Sequence, residues 1–473
     1  MAEPRIVPDL RVVPDLRVVI VGAGPAGVRA AEALVAAGVR PIVIDEGSCD
    51  GGQIYRRQPE NFRRSYASLY GSEAGRAENL HRSFEALRDH IDYRAETLAW
   101  GIWEKQLHLL QGSRTSEVDF DALIIASGAT DRLMPVRGWN RAGVYSLGAA
   151  QIALKSQATT IGRRVVFMGS GPLLYLVAAQ YSKAGAEVAA VLDTSPFHLR
   201  VKALPKLIVR PDVLLKGLAL TMKLRRAGIE IQSGITPIEI EGRPEIGVET
   251  VRFRTDKGQV REIACDAVAI GYHLRSETQL ADLARCEFRF DAQTRQFFPI
   301  KDADGRSSVP GVYLAGDGAL TLGADAAEVA GRLAALAVLS DLGRQVAGGQ
   351  VARLRRRLRI FERFRRGIVA AFPWPAGAAA ALSEDTVVCR CENITAGELR
   401  AAVSGNGAIE VNRAKAFSRV GMGRCQGRYC GHAAAEVIAA CAGVPVEAVG
   451  RIRAQAPVKP LVIGAESDTE QAA

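Results

Sequence analysis

Four of the eight cysteines are grouped towards the C-terminal end of the sequence, and their spacing is typical of metal chemistry. Cys389 and Cys391 are separated by one residue, and Cys425 and Cys430 follow after 33 intervening residues. In an extended chain, residues i and i+2 point to the same side, so the first pair can bind one iron while a loop carries the second pair to another. A 2Fe–2S cluster requires four such thiolates. The alternatives are structural zinc, which usually has CxxC pairs, and free thiols.

The residues around these cysteines favour the cluster. Gly421, Gly423 and Gly427 allow backbone N–H groups to approach the sulfur atoms, and such hydrogen bonds tune the potential of a cluster. A capping box at Thr395–Glu398 predicts a short helix, and Cys441 is predicted to be a core residue of a second helix. Residues 1–380 contain neither CxxC nor CxxxxC, so dithiol–disulfide chemistry is not expected.

A glycine-rich turn, Gly22–Gly27 (GAGPAG), follows the apolar segment Arg17–Val21, which is suited to a buried parallel strand. Gly22 makes the tight turn, Gly24 lets the backbone approach a pyrophosphate, and Gly27 lets the helix and strand pack closely. The free N–H groups at the start of the following helix favour phosphate binding. These features predict a dinucleotide site.

An acidic residue stands where such a site needs one. Asp45 lies 23 residues after Gly22, at the end of the second strand, where a carboxylate accepts hydrogen bonds from a ribose hydroxyl. Glu46 is the neighbouring alternative.

A second turn, Gly169–Leu174 (GSGPLL), occurs 147 positions after the first. It keeps Gly169 and Gly171 but has Leu174 in place of the third glycine, and Asp193 follows near the acidic position. A nicotinamide nucleotide, another adenine nucleotide and an empty site all remain open for this second turn. NAD is favoured over NADP, because no basic residue is evidently placed for a 2′-phosphate.

Two strand–turn–helix–strand units of this kind predict an α/β fold with two Rossmann-like domains, the second inserted in the first. The predicted organisation ends in a small cysteine-containing domain after a basic, helical linker. The boundaries are 1–16 for an N-terminal extension, 17–140 and 281–340 for the first dinucleotide domain, 141–280 for the second, 341–382 for the linker, 383–457 for the cysteine domain and 458–473 for a tail.

Composition excludes several classes of protein. With 48% apolar and 24% charged residues the chain is typical of globular proteins, and it has no apolar run of the length that a membrane span requires. The proline- and aspartate-containing N-terminus is not expected to be a signal peptide, which favours the cytoplasm.

The net charge is +10, part of it in the amphipathic segment Arg353–Arg366. That segment is interpreted as a packed linker helix or a helix that docks on a partner protein. The inner face of a membrane is a further location that the protein could have. No nucleic-acid-binding motif accompanies the segment in the sequence.

Two further segments carry a resemblance to a known family. Ala122–Gly128 (ALIIASG) and Gly311–Gly318 (GVYLAGDG) are strands that end in small-residue turns, and they alternate with the two glycine turns. This order resembles the disulfide-reductase and thioredoxin-reductase-like flavoproteins over residues 17–340. The resemblance implies FAD in the first site and NAD(P)H in the second. The cofactor-binding residues it implies, together with the glycine turn, are Gly22, Gly24, Pro25, Ala26, Gly27, Asp45, Glu46, Gly52, Gln53, Ser127, Gly128, Gly316 and Asp317.

The whole combination is similar to the larger flavoprotein subunit of heteromeric opine oxidase, hydrogen cyanide synthase and D-hydroxyproline dehydrogenase complexes. The motifs behind this are GAGPAG with IDE and GGQIY, AIGYHLRSETQ (Ala269–Gln279), GVYLAGDG, and VCRCENIT with GMGRCQGRYC. The cysteine domain itself resembles bacterioferritin-associated ferredoxin. The resemblance implies a substrate-oxidising flavoprotein partner, and it allows a small third subunit and an FMN at a subunit interface.

The hypothesis from the sequence is therefore an oxidoreductase subunit that relays electrons through FAD and a 2Fe–2S cluster. Its substrate would be an amino acid or opine oxidised by the partner, and no catalytic acid or base is assigned in this chain. The alternatives are a stand-alone NAD(P)H-dependent reductase of a ferredoxin-like or quinone acceptor, and a non-catalytic iron–sulfur assembly or sensor subunit.

Overall fold

A computed structural model of the chain describes residues 16–59, 61–62, 64–462, 464 and 466–467. The predicted N-terminal extension, apart from residue 16, and the end of the predicted tail lie outside the described residues.

The strands alternate with helices through most of the chain. The strands are β1 (Val18–Val21), β2 (Ile42–Ile44), β3 (Asp92–Arg94), β4 (Thr97–Trp103), β5 (Gln106–Gln111), β6 (Arg114–Asp119), β7 (Ala122–Ile125), β8 (Ala129–Asp131), β9 (Val144–Ser146), β10 (Arg164–Ser170), β11 (Glu187–Asp193), β12 (Glu230–Ser233), β13 (Thr236–Arg243), β14 (Gly247–Arg254), β15 (Val260–Ala264), β16 (Ala267–Tyr272), β17 (Leu274–Ser276), β18 (Phe288–Asp291), β19 (Gln296–Pro299), β20 (Val312–Leu314), β21 (Val387–Cys389), β22 (Ile394–Thr395) and β23 (Glu466–Ser467).

The helices vary from one turn to almost seven. They are α1 (Pro25–Ala36), α2 (Tyr66–Tyr70), α3 (Ala74–Leu87), α4 (Leu147–Ser156), α5 (Pro172–Lys183), α6 (Phe197–Leu207), α7 (Pro211–Arg226), α8 (Gln279–Leu283), α9 (Ala324–Asp341), α10 (Gly348–Ala371), α11 (Gly377–Ala380), α12 (Ala396–Asn406), α13 (Val411–Ser418), α14 (Gly431–Ala442) and α15 (Val446–Val449), with 3₁₀ turns at Gly71–Glu73, Arg88–His90 and Gly316–Gly318.

The first glycine turn belongs to a five-stranded parallel sheet of order β20–β7–β1–β2–β3. β1 reads VVIV and is buried throughout, because α1, α3 and α9 cover one face of the sheet and the antiparallel strands β4, β5 and β6 cover the other. The strand that closes this sheet, β20, comes nearly 200 residues after β7 in the chain. The carboxyl ends of β1, β7 and β20 therefore meet at one edge of the sheet.

The second glycine turn belongs to another parallel sheet, of order β12–β11–β10–β16–β9, with the antiparallel sheet β13–β14–β15 beside it. Its apolar strands are covered by α4, α5 and α7 on one side. The two parallel sheets with flanking helices confirm the predicted α/β class, while the domain boundaries stay a prediction.

The cysteine domain is not simply tethered to the rest of the chain. The β21–β22 hairpin and helices α12 and α14 contribute to the same apolar core as β10, β16 and β13–β15. The indole N–H of Trp139 donates to the carbonyl of Val387 at 2.5 Å, and Arg295 pairs with the buried Glu436 at 2.6 Å. The cysteine domain is thus packed firmly against both halves of the flavoprotein part.

The linker helix α10 lies against α6 and α9, and its apolar residues Leu358 and Phe361, three positions apart, are both buried. Among the helices of the described residues, none combines the length and the apolar character that crossing a bilayer requires.

Candidate cofactor sites

The first glycine turn is shaped by close contacts at two of its glycines and by open space at the third. A Cβ on Gly22, whose φ is +109°, would lie 2.4 Å from the carbonyl oxygen of Ala126, and one on Gly27 would lie 1.7 Å from the carbonyl oxygen of Gly22. Gly24 is different, because the Cα of Gly52, at 3.7 Å, is the only atom within 4 Å of its would-be Cβ among the described residues. The chain thus leaves room for a ligand beside Gly24.

Two helices begin at this edge without a side-chain cap. Gly24 precedes α1, whose first residue is Pro25, and Gly323 precedes α9; neither glycine can offer a side-chain acceptor to the first N–H groups. A Cβ on Gly331 of α9 would lie 2.0 Å from the carbonyl oxygen of Ala26, so the two helices are in very close contact. Uncapped N–H groups and the helix dipoles make this edge suitable for a pyrophosphate.

The later motifs converge on the same edge. A Cβ on Gly316 would lie 2.8 Å from the Cβ of Ala26, and one on Gly318 would lie 2.6 Å from the hydroxyl of Ser127. Gly128 has a φ of +71° and no neighbouring atom within 4 Å of its would-be Cβ. The strand ends of β1, β7 and β20 therefore form one continuous small-residue surface.

Asp317 stands at the centre of this surface. One oxygen of its carboxylate accepts the N–H groups of Leu322 at 2.8 Å and Gly323 at 2.9 Å. The other oxygen has no hydrogen-bond partner among the residues that the structure describes, so an acceptor is left for a ligand hydroxyl. Burial raises the pKa of Asp317, and the two N–H donors partly oppose that rise.

Asp45 contacts the glycine turn directly. Its carboxylate accepts the N–H of Ala23 at 2.5 Å and that of Gly47 at 2.6 Å, while burial raises its pKa. Its adjacent carboxylate, Glu46, is exposed and pairs with Lys459 from the C-terminal segment. Asp45 is thus the better placed of the two for a ribose, and it also holds the turn in shape.

The Gly51–Gln53 loop packs on this turn. A Cβ on Gly52 would lie 2.9 Å from the Cα of Gly24. Gln53 is exposed, and its side-chain oxygen accepts from Arg56 at 2.5 Å. The amine of Lys155 donates to the carbonyl of Ile54, the next residue of the loop, at 2.8 Å, and burial lowers its pKa to about 8. No sequence motif marks Lys155, a single lysine in the apolar helix α4.

The second glycine turn is covered by other parts of the chain. As at Gly22 in the first turn, a Cβ on Gly169 would lie very close to a backbone carbonyl, 1.9 Å from that of Gly271. The difference is at Gly171, where a Cβ would lie 3.2 Å from the imidazole of His273. The Nε2 atom of His273 is 2.6 Å from the carbonyl oxygen of Phe372, at the end of the linker helix. Leu174 is fully buried in the core, so the fold tolerates the missing third glycine.

The acidic residue of the second site is fully occupied. The carboxylate of Asp193 has no exposed side-chain surface, and it accepts from Arg200 at 2.6 Å, the Tyr175 hydroxyl at 2.8 Å and the N–H of Ser195 at 2.7 Å. The guanidinium of Arg200 also lies 5.0 Å from the ring centre of Phe372. The linker, the imidazole and the ion pair thus lie around the second glycine turn and its acidic residue.

The four clustered cysteines come together at one place. The thiol of Cys430 lies beside both Cys389 and Cys425, and Cys425 also contacts Cys391. Hydrogen bonding from Cys430 lowers the pKa of Cys389 to about 6 and that of Cys425 to about 5. The shared protons raise the pKa of Cys430 itself.

Backbone N–H groups also point at these sulfur atoms. Those of Gly421 and Glu392 donate to Cys389, and those of Gly427 and Tyr429 donate to Cys425. A Cβ on Gly423 would lie 2.2 Å from the Cβ of Cys391, which explains the glycine there. Such a cradle of thiols and N–H donors fits an anionic iron–sulfur cluster.

The four thiols lie at different depths in the protein. Across the part of the chain that the structure describes, no three His, Cys, Asp or Glu side chains are gathered tightly enough to hold a single metal ion. Cys389 and Cys430 are buried, whereas Cys391 is exposed, so one side of the cradle reaches the surface. The prediction that Cys441 is a core residue is wrong: its side chain is exposed on α14, an alanine-rich helix whose sequence does not reveal which face is inside.

Comparisons with known proteins agree with this geometry. Residues 16–338 match the family model described as pyridine nucleotide-disulphide oxidoreductase, and residues 387–440 match the BFD-like 2Fe-2S binding domain. The chain is 37% identical to the A subunit of opine oxidase from Rhizobium meliloti over 457 residues, which cover 94% of this chain and 85% of the relative. It is 34% identical to the HcnB subunit of hydrogen cyanide synthase from Pseudomonas aeruginosa over 425 residues, which cover 87% of this chain and 90% of the relative.

The chain belongs to the pyridine nucleotide-disulphide oxidoreductases, in the group that contains HcnB and the A subunit of opine oxidase. A solved structure with the same fold is L-proline dehydrogenase from P. horikoshii, with a TM-score of 0.67 at 19% identity, covering 95% of this chain and 79% of that one. The cofactors of this oxidoreductase are accordingly FAD and a 2Fe–2S cluster. The open glycine turn, the uncapped helices and the free acceptor of Asp317 fit FAD, and the thiol cradle fits the cluster.

In this oxidoreductase a short segment joins the two cofactor sites. β17 pairs with β8, so that Ser276 lies opposite Ala129, immediately after the Ser127–Gly128 turn. The hydroxyl of Ser127 donates to the carbonyl of Glu277 at 2.6 Å, and the hydroxyl of Ser276 donates to that of Asp317 at 2.6 Å. The segment therefore touches both flavin-side turns.

The other side of this segment holds the cysteine loop. The carboxylate of Glu277 accepts from Arg428 at 2.8 Å, and the amide of Gln279 donates to the carbonyl of Gln426 at 2.8 Å. Burial would raise the pKa of Glu277, but Arg275 and Arg428 outweigh it and hold the pKa below its usual value. Glu277 and Arg428 were assigned no role from sequence, although both lie in the motifs that carried the family resemblance.

Proposed function

We propose that this chain is the FAD- and 2Fe–2S-containing electron-transfer subunit of a heteromeric dehydrogenase of the amino-acid or opine type. A partner flavoprotein would oxidise the C–N bond of the substrate, and electrons would pass through this chain towards an acceptor. Oxidation of an amine to an imine releases two electrons and two protons. When bound, FAD supplies two-electron chemistry and the cluster supplies one-electron transfer.

The observation that carries the proposal is the junction formed by residues 274–279. The Glu277 carboxylate binds the cysteine loop through Arg428, and its own backbone binds the flavin-side turn through Ser127. A largely buried, paired carboxylate fixes both loops relative to one another, because loss of its arginine partner would leave a charge unpaired. Fixed geometry between two redox sites is what a relay requires.

The covered second glycine turn supports a partner as the source of electrons. Asp193 pairs with Arg200 and His273 lies beside Gly171, so a nicotinamide nucleotide would have to compete with these contacts within the chain. This also disfavours the stand-alone NAD(P)H reductase.

The relatives' names support the heteromeric assembly, since the relatives from opine oxidase and hydrogen cyanide synthase are both named as subunits. The partner would be a substrate-oxidising flavoprotein, with a small third subunit and an interface FMN as further components to be sought by mass spectrometry. A cytoplasmic location is part of the same proposal.

The decisive experiment is co-purification of the full chain with its partner, followed by anaerobic addition of opines, proline derivatives and glycine. We expect substrate to reduce the cluster, seen by electron paramagnetic resonance, and Cys425→Ser to abolish electron transfer to an external acceptor. Cys441→Ser is the matched control, because that thiol is exposed and outside the cradle. Equal turnover with and without the cluster would contradict the proposed electron relay. A chain that purifies without flavin would favour the role of an iron–sulfur assembly or sensor subunit.

A further inference from the structure

A pair of consecutive helices exposes an unusual number of large apolar side chains. Among the described residues, eight of the eighteen large apolar side chains that are exposed lie between positions 197 and 222. On α6 and the turn after it they are Phe197, Val201, Leu204, Ile208 and Val209, and on α7 they are Leu215, Leu218 and Met222. The i, i+3, i+4 spacing gives each helix an apolar stripe.

These stripes are not the faces that hold the helices to the protein. α6 packs on the linker helix through Ala203 and Leu207, which contact Ala371, and α7 is anchored by the buried Leu224. The side chain of Leu215 is 63% exposed and that of Ile208 is 60% exposed. The exposed stripes are therefore second, uncovered apolar faces.

The same helices are strongly basic. Residues 197–226, which we call the basic hairpin, contain eight Lys and Arg residues and only one acid, Asp212. Asp212 is already paired with Arg210. Five basic side chains are exposed and have no ion-pair partner in the described part of the chain: Lys202, Lys206, Lys223, Arg225 and Arg226.

The linker helix extends this charge. α10 packs along α6, and most of its arginines point outward. Exposed ones without an ion-pair partner among the described residues are Arg353, Arg356, Arg357, Arg359, Arg363 and Arg366. The basic hairpin and α10 are therefore neighbouring elements that both carry unpaired positive charge.

We propose that the basic hairpin docks on an anionic lipid surface, with its apolar stripe inserted at the headgroup level. Amphipathic helices that bind membranes have apolar residues on one face and Lys or Arg on the other, and each basic residue near an anionic surface adds to binding. The occupant is chosen by charge, because many unpaired cations beside an apolar stripe complement an anionic lipid surface. The inference is independent of the relay proposal, since it uses neither cofactor site.

The test is co-sedimentation of the full-length chain with two kinds of vesicle, one of phosphatidylcholine alone and one with added phosphatidylglycerol. We expect binding to the anionic vesicles, weakened by high salt. The triple variant Leu215→Ser, Leu218→Ser and Met222→Ser should lower the apparent partition coefficient about tenfold or more, because three inserted side chains are lost. The charge variant Lys202→Glu, Lys223→Glu and Arg226→Glu should lower it by a similar factor.

The matched control is Trp103→Ser, Ile246→Ser and Val260→Ser, three exposed apolar residues outside the basic hairpin, which should bind like the wild type. Flavin content and thermal unfolding confirm that each variant is folded. The proposal is overturned if the wild type binds neither vesicle, or if the α7 variant binds as well as the control. It is also overturned if the α7 variant loses only co-purification with the partner, because the hairpin is then an interface with that partner.

Discussion

The two glycine turns of this chain are similar in sequence, but they differ in the space and the free hydrogen-bond acceptors that they leave for a ligand. At the first, Gly24 faces open space and Asp317 keeps a free acceptor; at the second, Gly171 faces an imidazole and Asp193 is enclosed by three donors. Neither difference lies in the turn itself. The second site is closed by His273 and by Phe372, the latter contributed by the linker about 200 residues further along the chain.

A glycine turn of this kind therefore indicates a fold and does not by itself indicate an occupied site. Both turns support a strand–helix crossing in a parallel sheet, and both retain the acidic residue at the end of the following strand. The residues packed around each turn decide whether that acid is left for a ligand or pairs with an arginine of the same chain.

The largest expected effect is at the first turn. Gly24→Val places a branched side chain where the pyrophosphate would lie, so we expect flavin content to fall to background while the apoprotein folds. The N-cap change alone costs roughly 1 kcal/mol of unfolding free energy. Flavin absorbance after purification measures this, and Gly75→Val, in open space on α3, is the control. Normal flavin content in Gly24→Val would refute the assignment of this turn.

The two acids should respond in opposite ways. Asp193→Asn breaks a buried ion pair with Arg200, so we expect a loss of roughly 3 kcal/mol in unfolding free energy with no change in flavin content. Asp45→Asn removes one acceptor of the turn, costs about 1 kcal/mol, and weakens flavin binding. Thermal unfolding and flavin titration separate the effects. The comparison fails if Asp193→Asn releases flavin.

Lowering the pH should weaken the packing around the second glycine turn before it affects the first. Burial lowers the pKa of His273 to about 4 from an ordinary 6.5. In the unfolded chain this imidazole binds a proton below about pH 6.5, whereas in the folded chain it stays neutral until about pH 4. The stability of the folded state should therefore be highest above pH 6.5 and should fall as the pH drops from 6.5 to 4. His273→Asn, which tolerates the residue's positive φ of 63°, should flatten this part of the pH–stability curve.

Other histidines require a control for this measurement. His432 also has a lowered pKa because of burial, so only the difference between wild type and His273→Asn isolates the closed site. The exposed His198 provides His198→Asn as the matched variant. An unchanged curve in His273→Asn would mean that the imidazole does not hold the linker in place.

The smallest effect is expected at the rim of the first site. Lys459→Ala removes an exposed ion pair with Glu46, and such pairs contribute less than about 1 kcal/mol. We expect flavin affinity to change by less than about fivefold, measured by titration at low and high salt. A large loss would mean that the C-terminal segment binds the cofactor directly.

Patterns among residues close in sequence were enough to predict the secondary-structure elements and their order. The strand–turn–helix units, the capping box at Thr395 and each of the two cysteine pairs are set by residues close in sequence, and the structure contains all of them. The fold class and the cofactors followed from those patterns together with the family resemblance.

Long-range contacts were not predictable from the sequence. His273 and Phe372 close the second turn, and Glu277 reaches Arg428, through packing between segments 99 and 151 residues apart. A single chain carries no signal for such pairs, since neither periodicity nor a motif links them. The exposed position of Cys441 was missed because its helix is apolar on most sides.

The most direct test of the account is rapid mixing of the purified, flavin-loaded chain with excess NADH under anaerobic conditions, followed by visible absorbance. We predict that the flavin band and the cluster band stay oxidised, whereas dithionite reduces both. Rapid, stoichiometric bleaching of the flavin by NADH would contradict the account, because it would require the second glycine turn to be open.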